Sequence, residues 1–203
     1  MDFKRVISSR RSIRKYLDKE VPWELISEIL DAGIKAPSAG NIQSYKFIVV
    51  TDKKKKDEIA VASLKQSWMK GAHAHIVICS DKEDIKKFYG ERGSLYSTQN
   101  CALAAENMLL KATSLSLGAC FVGAFDDKAI KRILKVPNGF KPEITITLGY
   151  PDERPSLRKR MALENLVFFD EYGNKKRDIS LFPLEKQVKK VKKLIKKIKK
   201  KKS

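Results

Sequence analysis

Histidine is scarce in this chain. Only His73 and His75 occur among 203 residues, and no neighbouring Cys or carboxylate completes a ligand set around them. Two apart on a strand, they face one side, which makes a metal pair conceivable; satisfied structural histidines are the expectation. Cysteine is equally sparse: Cys79, Cys101 and Cys120 share no CxxC spacing. An odd count without paired spacing argues for reduced thiols in a cytoplasm, with Cys79 and Cys120 as small buried hydrophobes in strand-like runs. No apolar run approaches the ~20 residues needed to cross a bilayer, and Met1-Asp2-Phe3-Lys4-Arg5 does not begin like a secretory signal. Also missing are a Ser/His/Asp triad, a catalytic carboxylate pair, a zinc-finger spacing and an internal repeat. The spaced glycines Gly118 and Gly123 lack the Lys-Ser/Thr that would make a phosphate-binding P-loop.

Acidic residues are outnumbered, 24 against 43 Lys and Arg, for a net charge of +19. Its position matters more than its size. Residues 184–203 hold eleven lysines and one glutamate, so this stretch supplies +10 and the rest only +9. A moderately basic body suits small anions as well as nucleic acid, and no recognition-helix or aromatic RNA-binding pattern favours the latter. In the tail, Leu184, Val188, Val191, Leu194, Ile195 and Ile198 recur at helical spacing among lysines. That pattern fits an anionic membrane surface, a partner groove, or an extension packed on the body. The expected organisation is one domain over 1–183 and an amphipathic Lys-rich tail over 184–203.

Within the body the periodicities give an ordered set of elements. Residues 2–9 read as a short helix. Pro22 opens a second, with Leu25, Ile26, Ile29, Leu30 and Gly33 on one stripe, and Pro37 closes it. Strands are expected at 46–50, 74–80, 143–149 and 163–169, and helices at 53–65 and 127–134. The longest element is a helix over 97–117 that is apolar nearly all round, with Gly118 as its C′ stop. Such a helix is either central to the core or pressed against a second copy of the chain.

Three segments carry polar chemistry. Arg10-Arg11-Ser12-Ile13-Arg14-Lys15 concentrates four cations and a hydroxyl, donors that suit a bound phosphate. Pro37-Ser38-Ala39-Gly40-Asn41-Ile42-Gln43 is a polar turn leading into a strand. Arg158 and Arg160 sit two apart, so in an extended chain both point one way as a second candidate clamp.

Together with the run at 117–125 and Leu148-Gly149-Tyr150-Pro151, these segments resemble the short FMN-dependent nitroreductases over roughly residues 3–172. The resemblance implies an α+β fold with a central mixed, largely antiparallel sheet flanked by helices, in an intertwined homodimer holding FMN at its interface. It further implies that Arg10, Arg11, Ser12, Arg158 and Arg160 hold the FMN phosphate and ribityl oxygens, and that Arg14 reaches the N1/O2 edge. Pro37, Ser38, Ala39, Asn41 and Gln43 come from the other subunit, and Gly123 and Ala124 approach N5/O4. Gln66 and Lys70 are candidates for the pyrimidine edge. The implied activity is hydride transfer from NAD(P)H through flavin to nitroaromatics, quinones or similar electron-poor acceptors, in a ping-pong cycle. The alternatives are a dedicated reaction on the same fold, such as reductive dehalogenation or use of flavin as substrate, and a basic nucleic-acid or membrane-surface module. Where many members carry Gln-Pro-Trp this chain has Gln43-Ser44-Tyr45, and the usual Gly-Gly is Gly123-Ala124.

Overall fold

A computed structural model describes residues 2–175. The chain forms two compact units, Met1–Ser156 and Leu157–Ser203. The tail at 184–203, and with it the expected boundary after residue 183, lies outside the described residues.

The first unit is built on a four-stranded sheet. Its strands are β1 (Tyr45–Val50), β2 (Ala74–Asp81), β3 (Gly118–Val122) and β4 (Phe140–Gly149), in the order β1-β2-β4-β3. Every neighbouring pair is antiparallel. A parallel bridge joins Ser12 to Ala119, at the free edge of β3. Side-chain alternation along β2 explains the layering. Ala74, Ile76 and Ile78 face a cluster with Ile26, Ile29, Ala104, Ala105 and Met108, contributed by α2 (Trp23–Ile34) and α5 (Arg92–Ser114). Val77 and Cys79 face the opposite cluster, with Ile59, Met69 and Ile130 from α3 (Lys53–Ala62), a 3-10 turn (Ser67–Gly71) and α6 (Asp127–Leu134). A sheet covered on both faces is the consequence.

The helix ends follow ordinary capping chemistry. Asp52 accepts from the Lys55 amide at 2.8 Å, and Asp126 from the Lys128 and Ala129 amides at 2.9 and 3.1 Å. Pro22 is the N-cap of α2, one residue before its first turn. At the end of α5 the expected stop at Gly118 is displaced. Ser116 takes the left-handed conformation (φ 60), and the Leu117 amide reaches back to the Ala112 carbonyl at 2.9 Å, closing a Schellman turn. Gly118 is instead the first residue of β3. The helix also begins earlier than the apolar pattern, at Arg92, because its first turns are polar and leave Leu95 exposed. A short helix α4 (Glu83–Tyr89) precedes it. The sequence pattern had not marked α4, since only Ile85 among its residues is buried.

In the second unit the expected strand at 163–169 is absent. Leu163–Asn165 forms a 3-10 turn, with the Asn165 and Leu166 amides bonded three residues back at 3.0 and 2.9 Å. Leu166 is exposed. Beyond the turn Phe168 and Tyr172 meet with ring centroids 4.6 Å apart.

Candidate functional site

The basic segment after α1 (Phe3–Ser9) is laid along the edge of β3 and the end of β4. Ile13 donates its amide to the Ala119 carbonyl at 3.1 Å, Leu17 to Tyr150 at 2.9 Å, and Asp152 to Lys15 at 2.9 Å. Two glycines make this close approach possible. Gly118 and Gly149 face each other in the β3–β4 register. A Cβ on Gly118 would meet Ile13 Cγ2 at 2.8 Å, and one on Gly149 would meet Tyr16 Cδ1 at 2.8 Å. Any larger residue at either position pushes the segment off its seat.

Held in this extended form, the segment sorts its side chains by parity. Arg10, Ser12 and Arg14 turn to the side of Cys120, and Arg11 and Ile13 turn the other way. Burial pushes the Cys120 thiol up, and the positive charges of Arg14 and Arg10 and a hydrogen bond with Ser12 pull it back. The Arg14 guanidinium also lies 5.5 Å from the centre of the Trp68 ring. Its amide and that of Lys15 donate to Glu153 Oε1, at 2.5 and 3.2 Å, so this carboxylate fixes the backbone and leaves the guanidinium unneutralised. Arg11 lines a separate cavity of about 300 Å³ with Thr113, Ser116 and Leu117. Its Nη1 donates to the Ser8 and Arg10 carbonyls, both at 2.8 Å, and its Nε is buried without a partner.

The end of β3 completes this wall. Gly123 and Ala124 are exposed, and Gln66 Nε2 donates to the Ala124 carbonyl at 3.5 Å. Gln66 and Trp68, two residues apart, thus meet Ala124 and Arg14 respectively. Sequence reasoning had missed Trp68, whose only signal was an aromatic in a Lys-rich stretch.

The second polar segment is built elsewhere. Asn100, buried within α5, accepts from the Ala39 amide at 3.0 Å and donates to the Ile42 carbonyl at 3.1 Å and Ser44 Oγ at 2.9 Å. Gly40 and Asn41 both take φ 57, and Gln43 folds back on Asn41. Ser38 Oγ is buried with no partner. Pro37, Asn41 and Gln43 are exposed, and Ser38 and Ala39 are half-buried.

The two walls do not meet within one chain. The loop at 37–43 feeds β1, whereas the segment at 12–17 extends β3, and these are the outer strands of the sheet. Three strand spacings make ~14 Å. Along α5, Asn100 and the helix end at Ser114 are separated by ~21 Å at the helical rise. Arg158 and Arg160, both exposed, belong to the second unit.

His75 and the thiols behave as structural groups. His75 is buried with Nε2 3.0 Å from the Met69 carbonyl, and desolvation pushes its pKa down to about 4. All three cysteines are buried and unpaired, and burial lifts Cys79 to about 11 and Cys101 to about 12. Among the described residues no cluster of His, Cys, Asp or Glu could hold a metal, and no helix is long and apolar enough to cross a membrane.

Comparison with known proteins adds an independent line. The family model described as the nitroreductase family matches residues 7–66 and 60–150. A provisionally named NADH dehydrogenase/NAD(P)H nitroreductase of Methanothermobacter thermautotrophicus is 38% identical over 162 residues, 78% of this chain and 82% of that protein. An FMN-dependent nitroreductase structure from Clostridium difficile superposes with a TM-score of 0.72 at 31% identity, covering 82% of this chain and 98% of that one. The NADPH:FMN oxidoreductase of Vibrio harveyi shares the fold at 24% identity, with a TM-score of 0.78 over 92% of this chain and 85% of that one.

Proposed function

The chain belongs to the nitroreductase family, and on that premise we propose that it is an NAD(P)H-dependent FMN oxidoreductase that works as a homodimer. One observation carries the reading: the Ser12–Ala119 bridge lays the basic segment along the edge of β3 with Arg14 over Trp68, beside the turn from which Gln66 reaches Ala124.

The residues present fit the cofactor. Arg10 and Arg14 have no carboxylate partner among the described residues, so a phosphate and an electron-rich ring edge would find unspent cations. Arg10 and Ser12 would hold the phosphate and ribityl oxygens. Arg11 contributes from behind, where its guanidinium braces the Ser8–Arg10 turn. Arg14 would offer a positive charge to the ring edge that gains negative charge on reduction, and Trp68 keeps that guanidinium from swinging into solvent. The exposed backbone of Gly123 and Ala124 would offer its amides to the ring.

A second copy supplies Pro37, Ser38, Ala39, Asn41 and Gln43. The separation of the two walls in one chain supports this, and so does the outer face of α5, where Leu95 and Leu103 are 52% and 44% exposed beside Ala102.

FMN, when bound, supplies the redox chemistry: hydride in from NAD(P)H, then electrons out to a nitroaromatic, quinone or similar electron-poor acceptor in a ping-pong cycle. The protein's part is to orient the ring, balance its charge and leave one face open to both substrates. Three buried, unpaired thiols suit a reducing cytoplasm. Initial rates over a grid of NADPH and quinone concentrations test the cycle. Parallel double-reciprocal lines are expected; intersecting lines, or no oxidation of either nicotinamide, would remove it.

A further inference from the structure

A cavity of about 520 Å³ is lined by residues 16–20 and 70–73, which begin two residues on from Arg14 and from Trp68. One wall is the stretch at 16–20, which continues directly from the basic segment. The other is formed by Lys53 and Lys56 of α3 and by residues 70–73, which continue from Trp68. Lys53, Lys56 and Lys70 line one wall, and Lys19 lines the other between two carboxylates, Asp18 and Glu20. Such a balance is not that of a solvated surface alone, because part of it is fixed in place. Lys56 Nζ donates to the Ala72 and His73 carbonyls at 2.7 and 3.0 Å, which brings its ammonium against the cavity floor. Lys19 Nζ is held 4.2 Å over the Tyr150 ring. His73 reports the local field: burial lowers its pKa first, and Lys56 lowers it further by more than Glu20 restores.

We propose that this cavity receives the adenosine end of the electron donor and that its lysines bind the 2′-phosphate of NADPH, making this chain prefer NADPH over NADH. The inference rests on the reading that the protein oxidises a nicotinamide dinucleotide at the Arg14 wall. From Arg14 to Asp18 the extended chain spans at most ~14 Å, a distance an outstretched dinucleotide covers from its nicotinamide to its far ribose. The two charge types in the cavity have opposite preferences. A carboxylate beside that ribose selects the free 2′-hydroxyl, whereas cations select the 2′-phosphate. Lysines outnumber carboxylates two to one here, so the phosphate is favoured.

The test is calorimetric binding of 2′,5′-ADP, 5′-ADP and inorganic phosphate to the purified full-length protein. Expected is 2′,5′-ADP binding about tenfold or more tighter than 5′-ADP, with a similar loss in Lys53→Glu from replacing an attraction by a repulsion. Lys53 is exposed in the first turn of α3, where an acidic residue is well tolerated, and Lys19→Glu provides an independent second variant. The NADPH-to-NADH ratio of kcat/KM should fall by the same factor in each. Equal binding of 2′,5′-ADP and 5′-ADP, equal binding of inorganic phosphate, or indifference to both substitutions would overturn the assignment. Nucleotide binding is read without turnover, so a flavin-free protein that still selects 2′,5′-ADP through Lys53 would keep this inference while losing the oxidoreductase reading.

Discussion

The Tyr16 hydroxyl lies 2.7 Å from Thr147 Oγ1, which ties the segment carrying the cations to the C-terminal part of β4. The same hydroxyl donates to the Ile13 carbonyl at 2.6 Å, so one phenol clamps both ends of the turn that presents Arg14. Tyr16→Phe keeps the ring over Gly149 and removes both bonds. It should cost about 1–2 kcal/mol of stability and loosen FMN binding several-fold, because Arg14 is no longer held in place. Urea unfolding and fluorescence titration with FMN measure the two effects. The variant should also lose an alkaline transition. Burial raises the Tyr16 pKa, so the unfolded chain ionises first, and the stability this group contributes is present below the ordinary phenol pKa of about 10 and is lost above it.

Asn100 should matter to the flavin site without belonging to its cation wall. Asn100→Leu leaves the Ala39 amide, the Ile42 carbonyl and Ser44 Oγ without their partner at a buried position. A loss of about 2–4 kcal/mol is expected, with FMN affinity falling alongside. A stable variant with unchanged FMN affinity would show that the loop at 37–43 holds its shape by other means.

His75 predicts an acid limit. Its pKa is pushed down to about 4 by burial, so between the ordinary value near 6.5 and 4 the unfolded state takes up a proton that the folded state refuses. Stability is therefore complete above pH 6.5 and is lost as the pH falls, by about 3 kcal/mol from this one group. His75→Gln, which can still donate toward the Met69 carbonyl, should flatten the stability curve between pH 6.5 and 4.5. A curve of unchanged slope would mean that other groups set the acid limit.

The shared cleft can be tested by complementation. Arg14→Glu damages one wall and Ser38→Tyr the other, and each homodimer alone should lose FMN. In a mixed dimer both substitutions fall in one cleft and the other is intact, so random mixing should restore FMN to roughly a quarter of sites. Mixed dimers confirmed by native mass spectrometry, yet without FMN, would refute a cleft built from two copies.

Most of the fold was legible because its strands are β-branched runs and its long helices carry clear apolar stripes. Ile76, Ile78, Ile144 and Ile146 announce their faces by alternation alone. What escaped was decided by contacts remote in sequence. Leu163–Asn165 looked like a strand from composition but makes local 3-10 bonds instead. The stop of α5 shifted from Gly118 to Ser116 because Gly118 is needed under Ile13, a pairing that sequence spacing does not display. At the candidate site the cations were visible as residue types, and only the edge of β3 separates Arg11 from Arg10, Ser12 and Arg14. Trp68 became visible only once folding had brought it to Arg14.

The central claim is that this chain carries FMN as a working redox cofactor. The absorbance spectrum of the purified protein, recorded anaerobically before and after NADPH and then NADH, tests it most directly. The account predicts an oxidised flavin spectrum that bleaches on NADPH, more slowly on NADH, and returns with a quinone. A colourless protein that takes up no added FMN, or a bound flavin that neither nicotinamide bleaches, would contradict it.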